Sequence, residues 1–255
     1  MANDCLLRLE GISKSFGGVR ALQDIDLEVN YNEVLALVGD NGAGKSTLVK
    51  IISGAIPPDK GKIFLEGKEV SIKNPGEAAS LGIQMCYQDL ALVDCLDVAT
   101  NIFLGREICR RVGFVDFLSF RKMREKSISH LKTLGIELQN VKEKVKNLSG
   151  GQRQVIAVSR AVYWGTKLVI LDEPTAALGV REAKKVNELI KNLKQKNISI
   201  IVISHNLQHV FYVADRVVVL RHGRKAGERV IKETDGDEVV KMITGAEFNG
   251  QELAY

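Results

Sequence analysis

The segment Gly39-Asp40-Asn41-Gly42-Ala43-Gly44-Lys45-Ser46-Thr47 constrains this chain more than any other. It follows the apolar run 33–38 (EVLALV) and precedes a helical pattern over 45–53 that stops at Gly54, with Pro57 and Pro58 beyond. G-x4-G-K-[ST] between a strand and a helix fits a phosphate-binding loop. The spacing has a physical cause. Glycines let backbone N–H groups curl around phosphate oxygens, and the following helix offers its positive end. Lys45 can reach the β- and γ-phosphates, while the Ser46 hydroxyl can ligate Mg²⁺.

A second run, Leu168-Val169-Ile170-Leu171-Asp172-Glu173, is an apolar strand ending in two acids. Such an ending puts carboxylates at the carboxyl edge of a parallel sheet, where these sheets bind ligands. Asp172 would hold Mg²⁺, directly or through water, and Glu173 would polarise the attacking water. Alone, the pattern is a strand reaching solvent. Paired with the glycine-rich loop it points to a nucleoside triphosphatase.

Residues 6–10 and 25–29 read as strands, the second alternating Ile25, Leu27 and Val29 against acidic neighbours. Residues 62–70 read as a hairpin turning at Glu66-Gly67-Lys68. From Gln88 to Ser149 run roughly 60 residues, too many for a structureless connection in a compact domain. They carry helical patterns at 97–104 and 121–134 and little strand signal, which predicts a helical subdomain. Apolar strands return at 168–171, 198–203 and 217–220, with a helix over 180–196 whose stripe is Val180, Ala183, Val186, Ile190 and Leu193. This alternation predicts a parallel sheet with helices on its faces. The expected fold is α/β: a P-loop core of mainly parallel sheet, an N-terminal antiparallel β subdomain and an inserted helical subdomain. No internal repeat is visible, so the chain reads as one unit.

Composition narrows the class. The 255 residues, 45% hydrophobic and 26% charged, describe an ordinary globular chain that needs no disulfide or metal staples. Net charge is +5, from 36 basic and 31 acidic residues. The mixed runs 121–126 (RKMREK) and 142–146 (KEKVK) read as solvated helix faces, not as a nucleic-acid stripe. Cys5, Cys86, Cys95 and Cys109 form no CxxC pair and read as free thiols. Asp4 and Glu10 near the start do not fit a signal peptide, and the apolar runs fall far short of the ~20 residues of a membrane span. A cytoplasmic chain is expected, with any membrane role supplied by a partner.

Leu148-Ser149-Gly150-Gly151-Gln152 sits before a helical pattern over 153–162, so Ser149 and two glycines make a second phosphate-facing helix start. One nucleotide does not need two such sites. Two identical chains head to tail would resolve the surplus, each lending its second site to the other's nucleotide.

With these motifs in this order, the sequence resembles the ATP-binding cassette of ABC transporters over nearly its whole length. The resemblance implies ATP and Mg²⁺ as ligands, with Leu148–Gln152 as the family's signature and Glu173 as the catalytic carboxylate. Gln88 in Cys86-Tyr87-Gln88-Asp89 resembles the glutamine that contacts Mg²⁺ near the membrane partner. His205 in Ile203-Ser204-His205-Asn206 resembles the switch histidine on the γ-phosphate, and Phe16 the aromatic that stacks on adenine. His130, His209 and His222 match no motif and read as surface or packing residues. The implied domain spans 1–255, with a helical subdomain at about 89–163 and the core and β subdomain from 1–88 and 164–255.

One position departs from the family pattern. Where the family carries S-A-L-D, this chain has Ala176-Ala177-Leu178-Gly179, without the carboxylate. The stretches around it, with 87–92 (YQDLAL) and 101–107 (NIFLGRE), resemble the ribose, xylose and fructose branch of bacterial sugar importers. The resemblance implies a second copy as partner, integral membrane permease subunits, indirectly a solute-binding protein, and a peripheral place on the cytoplasmic side of the membrane. Leu90, Leu92 and Val93 read as an exposed dock for a permease helix. A soluble non-transport cassette ATPase, or an importer subunit for another small solute, remains the alternative.

Overall fold

The computed structural model describes residues 5–112, 114–138, 140–176 and 178–245. β1 (Cys5–Phe16) and β2 (Val19–Asn30) make a long antiparallel pair, and Leu22, Ile25, Leu27 and Val29 point into the core. β3 (Val34–Val38) is buried along its length and feeds α1 (Lys45–Ile52) through the glycine-rich loop. β4 (Lys60–Leu65) and β5 (Lys68–Val70) form the expected hairpin, turning at Glu66 and Gly67 with φ of 53° and 76°. The first sheet runs β2-β1-β4-β5 and is antiparallel.

α2 (Pro75–Ser80), capped by Asn74 with Pro75 in its first turn, leads to β6 (Ile83–Cys86). α3 (Val98–Phe103) starts at Asp97, whose side chain accepts from the Thr100 N–H at 2.8 Å. β7 (Cys109–Val112) and β8 (Val115–Leu118) follow, then α4 (Phe120–Thr133) and α5 (Gly150–Val162). The chain closes with β9 (Leu168–Asp172), α6 (Val180–Gln195), β10 (Ser199–Ile203), α7 (Leu207–Val213), β11 (Arg216–Arg221), β12 (Arg224–Val230) and α8 (Gly236–Thr244).

The central sheet has the order β12-β11-β3-β10-β9-β6. Its strands are parallel except β12, which lies antiparallel on β11. Leu168 and Ile170 pack with α1 and the antiparallel sheet, while Val169 and Leu171 pack with α5 and α6. Burial on both faces is why β9 reads as an unbroken apolar run. The fold is the expected α/β architecture.

Several expectations need correction. The β7–β8 hairpin lies inside the segment expected to be helical. Its strands are short and β8 is exposed along its length, so no apolar alternation marks it. Residues 142–146 form no α-helix: Val145 opens a short 3₁₀ helix and is buried. On α6, Val180 is 90% exposed, and the buried stripe is Val186, Leu189, Ile190 and Leu193. α5 begins at Gly150, earlier than the pattern implied, because Ser149 and Gln152 close a capping box. Leu90 and Leu92 turn inward, Leu92 against both the sheet–helix core and the cluster around α3 and α4, so they are not an open dock. Among the described residues, no helix is long and apolar enough to cross a membrane.

Candidate functional site

Register aligns Leu37 of β3, Ile203 of β10 and Asp172 of β9 on adjacent strands. The chain therefore leaves three neighbouring strands at one carboxyl edge. The glycine loop follows β3, Ser204 and His205 follow β10, and Glu173 follows β9. β6 pairs beside β9 and releases Tyr87 and Gln88 at the same edge.

The glycine loop can be built only from glycine at two of its corners. Gly39 has φ of 148°, and a Cβ there would stand 2.2 Å from the Leu220 carbonyl oxygen. Gly44 has φ of 105°, and its Cβ would stand 2.7 Å from the Ala21 carbonyl oxygen. The start of α1 carries no side-chain cap, so its first N–H groups meet no competing side-chain acceptor. Asp40, Asn41, Gly42 and Ser46 are exposed, Ala43 is buried and Thr47 half-buried. The Lys45 ammonium donates to the Gly39 and Asp40 carbonyls at 2.7 and 2.9 Å. Burial pushes its pKa down, against the pull of Glu173, Asp40 and Asp172.

Asp172 is half-buried at the end of β9. Burial and the neighbouring Glu173 raise its pKa, while Lys45 and Lys50 oppose. A cation beside it would offset both effects. The exposed Ser46 hydroxyl and the Asp172 carboxylate are hard oxygen donors of the kind Mg²⁺ takes. Mg²⁺ usually keeps only one or two protein ligands beside waters and substrate phosphates. Among the described residues no larger cluster of acids, cysteines and histidines forms a metal cage.

Glu173 has φ of 49°, a strained region for a residue with a side chain, and its N–H is pinned to the Ile203 carbonyl at 3.0 Å. Its Oε1 lies 2.8 Å from His205 Nδ1; the glutamate side chain is 15% exposed and the histidine 72%. The sheet thus brings two sequence-distant candidates into contact. Phe16 ends β1 and is 50% exposed, with Lys14 Nζ 5.7 Å from its ring centroid, so the ring is a surface group and not core. Gln88 is exposed just beyond β6.

Ser149 caps α5: its Oγ accepts from the Gln152 N–H at 3.4 Å, and Gln152 Oε1 accepts from the Ser149 N–H at 2.9 Å. Gly150 packs against Leu178, and Gly151 against Glu182 in the first turn of α6. Among the described contacts the signature meets these residues and not the glycine loop. Gly179 caps α6 at φ −67° with open space around it, so a side chain, aspartate included, fits without strain. Ala177 of that loop lies outside the described residues.

Two residues support the site without belonging to its motifs: Arg160, and His209, which is the packing residue expected. Arg160 donates to the Leu90 and Ala91 carbonyls at 2.9 and 2.8 Å, bracing the segment after Gln88. His209 is buried, with Nδ1 3.3 Å from both the Ser204 and Thr175 hydroxyl oxygens, linking the loops that carry His205 and Glu173. Burial pushes its pKa down to about 4. Neither residue belongs to a local pattern that periodicity or spacing marks.

The pattern of the ABC transporter family matches residues 22–176. The chain is 48% identical over 239 residues to the xylose/arabinose import ATP-binding protein of Sulfolobus acidocaldarius, covering 94% of each. It is 45% identical over 251 residues to the fructose import ATP-binding protein of Rhizobium meliloti, covering 96% of each. The ribose import ATP-binding protein of Caldanaerobacter subterraneus is 43% identical over 95% of this chain, which spans only 48% of that protein. The solved ADP conformation of an ATP-binding cassette of an ABC transporter superposes with a TM-score of 0.82 at 28% identity, over 95% of this chain and 99% of that one. With the glycine loop, the acidic strand and the histidine already gathered at one sheet edge, these matches settle the family: the chain belongs to the ABC transporters, as their ATP-hydrolysing domain.

Proposed function

We propose that this chain is the energy-coupling subunit of an importer for a monosaccharide such as xylose, ribose or fructose. The observation that carries the catalytic part is the Glu173–His205 contact at 2.8 Å, set beside Lys45 at the carboxyl edge of the sheet. The loop 39–47 cradles the phosphates of ATP, with backbone N–H groups and Lys45 on the γ-phosphate side, and Phe16 stacks on adenine. Mg²⁺ held by Ser46 and Asp172, with Gln88 nearby, would neutralise charge on the β- and γ-phosphates. Glu173 orients and polarises the attacking water, and His205 holds that carboxylate and meets the γ-phosphate. The products are ADP and phosphate.

Each ATP is completed by Ser149, Gly150, Gly151 and Gln152 of a second copy, so the working unit is a homodimer. The helical subdomain, about 89–163, transmits closure to integral permease subunits, with a solute-binding protein acting through them. The chain thus sits peripherally on the cytoplasmic face of the membrane and binds no nucleic acid. The names of the relatives support the sugar assignment, as do the stretches after Gln88 and Glu173.

The test is reconstitution of the chain with its permease in lipid vesicles, measuring ATP-driven uptake of labelled pentoses and hexoses. Uptake of at least one of these sugars, dependent on enclosed ATP, is expected. Transport of an unrelated solute with none of the sugars, or ATP hydrolysis that no permease stimulates, would contradict the assignment.

A further inference from the structure

Glu182 stands in the first turn of α6, and its side chain lies across the start of α5. A Cβ built on Gly151 would meet its Cβ, Cγ and Cδ at 2.7, 3.0 and 3.3 Å. The acidic arm is therefore seated directly on the second signature glycine. The neighbouring Ser149 hydroxyl first, then the Gly151 and Gly179 N–H groups, favour the charged form of the Glu182 carboxyl and hold it below its usual range. Ser149 Oγ accepts from Gln152, which leaves its hydroxyl hydrogen to donate. The approach to Gly179 is an ordinary helix-start arrangement, a glutamate in the first turn reaching back toward the cap. The approach to Ser149 and Gly151 crosses to a different helix. These are two donors that the proposed function assigns to the ATP of the second copy.

We propose that Glu182 is an internal anion that competes with the partner copy's ATP γ-phosphate for Ser149 and Gly151, and so sets how much ATP two copies need to close. This rests on the two-copy reading above. A carboxylate and a phosphate cannot share the same two donors without strong repulsion between like charges. Closure must swing each Glu182 aside, and each copy of the dimer carries one. The position is specific to this loop: Gly179 offers no carboxylate, and the acid lying on the signature comes instead from three residues further on.

The test is an ATP titration of dimer formation by light scattering, in chains carrying Glu173→Gln to block turnover. Glu182→Gln keeps an amide able to reach the Gly179 N–H, whereas Glu182→Ala removes that cap, and both remove the charge. Both should lower the ATP concentration at half-dimerisation by about 3- to 10-fold, the scale of a partly screened charge contact. If Glu182 merely braces Ser149, both variants will need more ATP, and the proposal fails. An unchanged midpoint also overturns it. If the Glu173→Gln parent shows no ATP-dependent dimer, the two-copy reading itself is wrong and this inference falls with it. A parent that dimerises normally, without the shift, leaves that reading standing and removes only the role of Glu182.

Discussion

Glu173→Gln is expected to lower ATP turnover by about 10²- to 10⁴-fold, the usual range for a positioned general base. The amide keeps the shape of the side chain and can still hydrogen-bond His205, so the fold and the 2.8 Å contact survive in kind. What it loses is the negative charge that polarises water. The backbone at Glu173 is already strained and tied to the Ile203 carbonyl, so the group is held in place before substrate arrives. ATP binding, which depends on the loop 39–47, should persist. Steady-state hydrolysis and calorimetric ATP titration check the two halves separately, and near-normal turnover would remove Glu173 from the role.

Lys45→Ala should act on binding itself. The ammonium is half-buried and held by two loop carbonyls, and it is the one cation that the loop places among Asp40, Asp172 and Glu173. Without it, a phosphate would enter a pocket of acids that has lost the cation of its own loop. Hydrogen bonds to charged groups contribute about 1.5–3 kcal/mol, so ATP affinity should fall by about 10- to 100-fold. Calorimetry is the check, and an unchanged dissociation constant would contradict the assignment. Gly39 and Gly44 have no comparable conservative variant, since any side chain there collides with backbone.

The elements legible in the sequence are those buried on a regular pattern. β3, β9, β10 and β11 read as apolar runs because both faces of a parallel sheet are covered. α1, α3 and α5 announced their starts through the glycine loop, Asp97 and Ser149. The β7–β8 hairpin did not announce itself, because its two short strands show no apolar face. Leu92 misled for the opposite reason: an apolar residue in a loop reads as exposed, yet here it fills the seam between two core clusters. The candidate site residues were legible one by one from motifs. Their contact was not, since only the order β3-β10-β9 puts His205 beside Glu173 and Glu173 near Lys45. Glu182 carried no signal of its own. An acid in the first turn of a helix is common, and only the packing of α6 on α5 turns it toward the signature.

The central claim is that each ATP site is assembled from two copies of this chain, and mixing two inactive variants tests it most directly. Lys45→Ala spoils the glycine loop but leaves the signature intact. Gly150→Asp adds a negative charge at the signature, facing phosphate, where its Cβ meets only the Leu178 side-chain tip at 3.2 Å. In an equal mixture about half the dimers carry one of each, with one complete site apiece, so about a quarter of wild-type hydrolysis should return. Activity recovered on mixing, from two chains each inactive alone, is the predicted result. A mixture as inactive as its components, with both chains folded and forming mixed dimers, would contradict a site shared between copies.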